Sequence, residues 1–141
     1  WEKSLGITAT TRNEEWGSYQ TSVRQFEFDA ARRAWIADYV DPNSHLDMMV
    51  TGGENNNTGW SNAEYDRLIA EARSESDETK RLELFHRAER ILMDEMPLIP
   101  IYYYVDKNMV KARNHGFYRN PLDEHPLSAI SNDSAATGST K

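Results

Sequence analysis

Two apolar stripes at helical spacing constrain this chain more than any other feature. Tyr65, Leu68, Ile69 and Ala72 form the first; Leu82, Phe85, Ala88, Glu89 and Leu92 lie near the inner face of the second. Helices of this kind draw most of their stability from burying such a stripe against a neighbouring element. The sequence marks their ends. Ser61-Asn62-Ala63-Glu64 reads as a capping box opening the first helix, the second starts at about Asp77, and Pro97 stops it. Lys80, Arg81, Glu83, Arg87 and Arg90 read as a solvated outer face with no assigned role.

The remaining segments alternate between strand and helix signals. Leu5 to Thr11 is β-branched and short, and suits a strand after a turn at Gly6. Asn13 is placed to cap a helix through Glu14, Glu15 and Trp16, with Trp16, Tyr19 and Val23 on one face. Phe26 to Ile36 alternates like a strand covered on both sides, and it runs on through Ala37-Asp38-Tyr39-Val40. Asp41 then caps a short helix with Pro42 at its first position, turning Leu46, Met49 and Val50 inward. Thr51 to Gly59 is a loop by composition. Leu98 to Val105 reads as a strand with Pro100 at its start or on an edge, and Met109-Val110-Lys111 is a shorter apolar piece. Residues 128–141 read as a flexible polar tail, in part a cloning remnant.

Composition narrows the function. At 141 residues the chain suits one domain with a modest core. Its 16 Lys and Arg against 23 Asp and Glu give a net charge of −7, which disfavours nucleic-acid binding through a basic surface. The absence of cysteine removes disulfides, thiolate catalysis and Cys-ligated zinc. No apolar run approaches the roughly 20 residues of a membrane helix. The chain opens Trp1-Glu2-Lys3, with no secretory leader in view, and the missing initiator methionine points to processing or excision from a longer chain.

A search for catalytic chemistry returns nearly nothing. His45, His86, His115 and His125 stand in no metal-binding spacing, and there is no nucleophile elbow, phosphate loop or dinucleotide fingerprint. Arg32, Trp35 and Asp38 stand out, with Ala34 and Ile36 between them. As an exposed edge, this segment pairs with a peptide backbone while Asp38 meets an ammonium group, Arg32 a carboxylate and Trp35 an apolar side chain. As a buried strand, it holds a core tryptophan and an aspartate that closes a turn. Spacing alone favours the second reading.

The surrounding motifs reverse that preference. Trp35-Ile36-Ala37-Asp38-Tyr39-Val40-Asp41-Pro42 resembles the W-x-A-D-Y-x-D-P segment of oligopeptide-binding proteins that serve bacterial ABC importers, extracellular solute-binding protein family 5. Leu5-Gly6-Ile7 with Glu15-Trp16, Phe28-Asp29, Tyr65-Asp66-Arg67-Leu68-Ile69 and Pro100-Ile101-Tyr102-Tyr103-Tyr104-Val105 follow in the family's order, over residues 1–125 or so. The resemblance implies an α+β fold, a mixed sheet flanked by helices, as part of one lobe of a type II periplasmic-binding-protein fold. Residues 1–127 would be a partial carboxyl-terminal lobe.

It further implies non-catalytic capture of oligopeptides for import, with an ABC permease and the missing remainder of the binding protein as partners, no cofactor and no metal. The location implied is periplasmic, or extracytoplasmic and membrane-anchored. By the same resemblance Asp38 takes the peptide's amino terminus, the main chain at Ala34 and Ile36 bonds the peptide backbone, Trp35 lines a side-chain pocket and Arg32 meets the carboxylate of a shorter peptide. The rival expectations are a ligand-sensing domain of a transcription regulator and an interaction module that no longer binds peptide.

Overall fold

Helices α4 (Ala63–Ser74) and α5 (Glu78–Glu95) form an antiparallel hairpin that carries most of the core. The computed structural model describes residues 1–133; the last eight positions of the expected tail, 134–141, lie outside the described residues. Tyr65, Leu68, Ile69 and Ala72 of α4 are fully buried against Phe85, Ala88 and Leu92 of α5. Leu46 and Met49 cover the open side of the hairpin from α3 (Asn43–Leu46) and the 3-10 turn that follows it. The second stripe differs in detail from its expected form. Leu82 and Glu89 face outward, while Leu84, Ile91 and Met93 take half-buried positions beside the core.

The caps show how local chemistry sets these boundaries. Asp77 caps α5 as expected, its side chain accepting from the Lys80 N–H at 3.1 Å. At α4 the capping residue is Asn62, whose amide oxygen accepts from the Tyr65 N–H at 3.0 Å, one position after the expected serine. The capping box fails because Glu64 turns to Arg67 and Arg87 instead of back to the helix start. Asn62 also donates to Glu95 at 2.6 Å, and the Trp60 indole reaches the same carboxylate at 2.6 Å, so the start of α4 is tied to the end of α5. Replacing Asn62 by alanine is expected to cost about 1 kcal/mol or more in urea unfolding, and Ser61→Ala only a few tenths. Equal costs would return the cap to Ser61.

Outside this core the sheet expectation needs correction. The described residues contain helices and a small sheet: β1 (Asn114–His115) pairs antiparallel with β2 (Ser131–Asn132). The expected strands at 5–11, 26–40 and 98–105 carry no ladder bonds. The first is preceded by a single helical turn, α1 (Glu2–Leu5), that ends at Gly6. The second follows α2 (Trp16–Arg24), whose capping residue is Glu15 and not Asn13. Alternation of residue types prepares a strand, but a hydrogen-bonded neighbour makes one. Without it, Ile36, Ile99, Ile101 and Val105 remain exposed. The head of the expected tail is ordered: Leu127–Ala129 forms a 3-10 turn leading into β2.

Candidate functional site

Side chains from three other parts of the chain hold residues 31–38 in place. The Tyr19 hydroxyl on α2 donates to the Arg32 carbonyl, and the Arg32 guanidinium donates to the Tyr104 hydroxyl. Tyr102 lies beside Tyr104 with ring centroids 5.2 Å apart. The two tyrosines, Tyr102 foremost, raise the Arg32 pKa above its ordinary value, and the neighbouring Tyr104 and the Arg32 guanidinium lower that of Tyr102. At the other end Ser44 takes two bonds. Its carbonyl accepts from the Trp35 indole N–H at 2.8 Å, and its hydroxyl accepts from the Asp38 N–H at 2.8 Å.

Ser44 is itself fixed. It is buried in α3, and the turn before that helix is organised by Asp41, whose carboxylate accepts from the Asn43 N–H at 2.8 Å. Arg81 on α5 grips the same carboxylate with two bonds of 2.7 and 2.8 Å, donates to the Ala72 carbonyl at 3.1 Å, and lies 4.7 Å over the Phe85 ring. The Arg81 hydrogen bonds hold the Asp41 carboxyl below its ordinary pKa. The arginine assigned to a solvated face is therefore the bolt between the segment carrying Asp38 and the core.

Trp35 and Asp38 are thus brought together on one residue, Ser44, with Trp35 half-buried and Asp38 exposed. No hydrogen bond or ion pair reaches the Asp38 carboxylate among the described residues. The main chain of Ala34 and Ile36, both exposed, likewise makes no hydrogen bond to protein there. Arg32 is held apart from this pair, on the tyrosines. Among the described residues this segment pairs with no strand and Trp35 is half-buried. Chemically the segment offers a carboxylate for a cation and a free main-chain edge for an extended partner. No group of three or more metal-ligating side chains gathers among the described residues.

Comparison with known proteins gives this edge a context. No protein-family model matches the chain. The dipeptide-binding protein DppE of Bacillus subtilis is 36% identical over 121 residues, covering 86% of this chain and 22% of the relative. The periplasmic oligopeptide-binding protein OppA of Salmonella typhimurium is 36% identical over 124 residues, covering 87% and 23%. The solved structure of the Escherichia coli murein tripeptide-binding protein MppA superposes with a TM-score of 0.84 at 30% identity, over 94% of this chain and 26% of that one. Over most of its length the chain is homologous to peptide-binding proteins of solute-binding family 5.

The chain spans about a fifth to a quarter of the length of the relatives it matches. Its helices and small sheet are part of one lobe of the type II binding-protein fold. Sequence reasoning missed the residues that place the segment: Ser44, Tyr19, Tyr104 and Arg81. A local signal existed for Ser44, three residues after Asp41, whose carboxylate organises the turn before α3. None existed for Arg81 and Asp41, which are 40 positions apart.

Proposed function

We propose that the chain serves non-catalytic capture of oligopeptides for uptake by an ABC importer, outside the cytoplasmic membrane, with the membrane permease as partner. The observation that carries this is the exposed, unpaired Asp38 carboxylate beside a main-chain edge that is open at Ala34 and Ile36. A peptide's ammonium group sits on the carboxylate and its backbone pairs with the edge. Trp35, fixed by Ser44, forms a wall for a side chain, and Arg32 with its tyrosines receives a carboxylate. Recognition of this kind reads terminus and backbone and leaves the sequence largely unread. The names of the relatives speak for binding proteins over a range of peptide lengths, and neither for regulators nor for enzymes.

The test is calorimetric titration of the full native protein with tri- to pentapeptides, each with a free and an acetylated amino terminus. Asp38→Ala is expected to cost free-amine peptides about 2 kcal/mol or more and to leave acetylated ones nearly unchanged. Equal losses for both kinds would remove Asp38 from the role given to it.

A further inference from the structure

Residues 33–37 make no main-chain hydrogen bond among the described residues, yet a hydroxyl group ties down each end of this stretch. At one end the Tyr19 hydroxyl donates to the Arg32 carbonyl; at the other the Ser44 hydroxyl accepts from the Asp38 N–H at 2.8 Å. Both bonds are made to main chain, so they fix where the backbone runs. Fully stretched, the residues between the two anchors reach about 18 Å at most, which leaves a tether pinned at both ends few paths to follow.

Each anchor is itself seated. The Tyr19 ring stacks on Trp16, one turn back along α2, with centroids 5.7 Å apart, and Val23 on the same helix is buried. Arg12 donates to the Glu27 carbonyl at 3.2 Å, joining the chain before α2 to the chain after it. Ser44 is buried, its N–H donates to the Asp41 carbonyl at 3.0 Å, and Arg81 holds the Asp41 carboxylate to α5. The anchors hold different things. Ser44 holds the residue that carries the carboxylate, whereas Tyr19 holds the far end of the edge that runs through Ala34 and Ile36.

We infer that Ser44 and Tyr19 are positioning residues for peptide binding with separate tasks: Ser44 aims the Asp38 carboxylate at the ligand's ammonium group, and Tyr19 keeps the main chain at Ala34 and Ile36 in line for the ligand's backbone. The inference rests on the peptide-capture reading. Its physical basis is the cost of ordering. An extended stretch with free N–H and C=O groups loses backbone freedom when a ligand pairs with it, and an anchor made beforehand removes part of that loss from the binding step. Because the carboxylate and the edge meet different parts of a peptide, releasing one anchor weakens one part of recognition and spares the other.

Ser44→Ala and Tyr19→Phe each delete one hydroxyl; Ser44→Ala keeps the carbonyl that accepts from the Trp35 indole. The full native protein with each variant is titrated by calorimetry with trialanine, N-acetylated trialanine, and trialanine methylated on both amide nitrogens. Ser44→Ala is expected to weaken trialanine and its methylated form about three- to tenfold and to leave the acetylated form, which has no ammonium group, nearly unchanged. Tyr19→Phe is expected to weaken trialanine and the acetylated form by a similar factor and to spare the methylated form, which has no amide N–H left to pair with the edge. Each comparison is a ratio between ligands on one variant, so a general loss of stability cancels. Asp38→Ala with Ser44→Ala is expected to bind trialanine no worse than Asp38→Ala alone. A loss shared equally by all three ligands, no loss with any, or a full further loss in the double variant overturns the inference. If Asp38→Ala alone still separates free-amine from acetylated trialanine, the capture reading survives that failure; if it does not, both fall.

Discussion

Phe85→Ala is expected to destabilise the chain by about 3–5 kcal/mol, the largest loss from any single truncation in the α4–α5 hairpin. The ring is 1% exposed, sits among Leu68, Ile69 and Leu92 in the core, and lies under the Arg81 guanidinium. Truncation leaves a cavity, because the two helices are tied at one end by Trp60 and Asn62 to Glu95 and cannot simply close over the gap. It also removes the surface on which Arg81 rests while gripping Asp41, so the loss is felt in the turn that carries Ser44 and Asp38. Leu82→Ala, three positions earlier on the same helix but 39% exposed, is the matched control and should cost under about 1 kcal/mol. Urea unfolding of both variants checks the prediction; similar midpoints would mean that the hairpin is not the core.

The contrast between Phe85 and Leu82 also marks how far the sequence could be read. Helical periodicity located α4 and α5 because the signal lies within one turn on either side of each residue. Which leucine faces inward depends on the partner helix, so Leu82, expected inside, faces outward, and Leu84 takes a half-buried place beside the core. The cap at Asp77 was legible as it stands, while Ser61 gave way to Asn62 and Asn13 to Glu15, because neighbouring polar side chains compete for the same free amides. Strands were the least legible. Phe26 to Val40 has the alternation of a strand, but the bonds that would make it one come from another part of a chain, which alternation does not specify. Phe26 in fact takes a positive φ of 58° directly after α2.

The candidate site divides along the same line. Trp35 and Asp38 were legible through a continuous motif that needs no distant partner. Their anchoring was not: Ser44 receives both, and Arg81 fixes the turn through a pair that periodic patterns read as solvated charge. Arg32 shows the limit from the other side. A basic residue before the tryptophan suggests a carboxylate partner, while in the structure its guanidinium donates to the Tyr104 hydroxyl, in a run whose composition suits a strand. The long-range contacts therefore decide which side chains of the motif are held and which stay open, and Asp38 stays open.

Gly116→Ala should have the second-largest effect, and it acts at the base of the loop between β1 and β2. Gly116 takes φ +82°, and a methyl group there would stand 1.8 Å from the Ala129 carbonyl oxygen and 3.0 Å from its carbon. Those atoms belong to backbone in the turn just before β2, so no side chain can swing aside to make room. The ladder beside it is short, pairing Asn114 with Asn132 and His115 with Ser131, extended by the Asp133 N–H on the Arg113 carbonyl at 3.0 Å. With so few bonds to resist, the strands are expected to part, and hydrogen exchange at residues 114, 115 and 131–133 should lose its protection. Gly52→Ala supplies the control: its φ is +69° but nothing lies within 4 Å, so it costs only the left-handed conformation, about 1 kcal/mol. Full protection at those amides in the Gly116 variant would show that the close approach to Ala129 is not what joins the two strands.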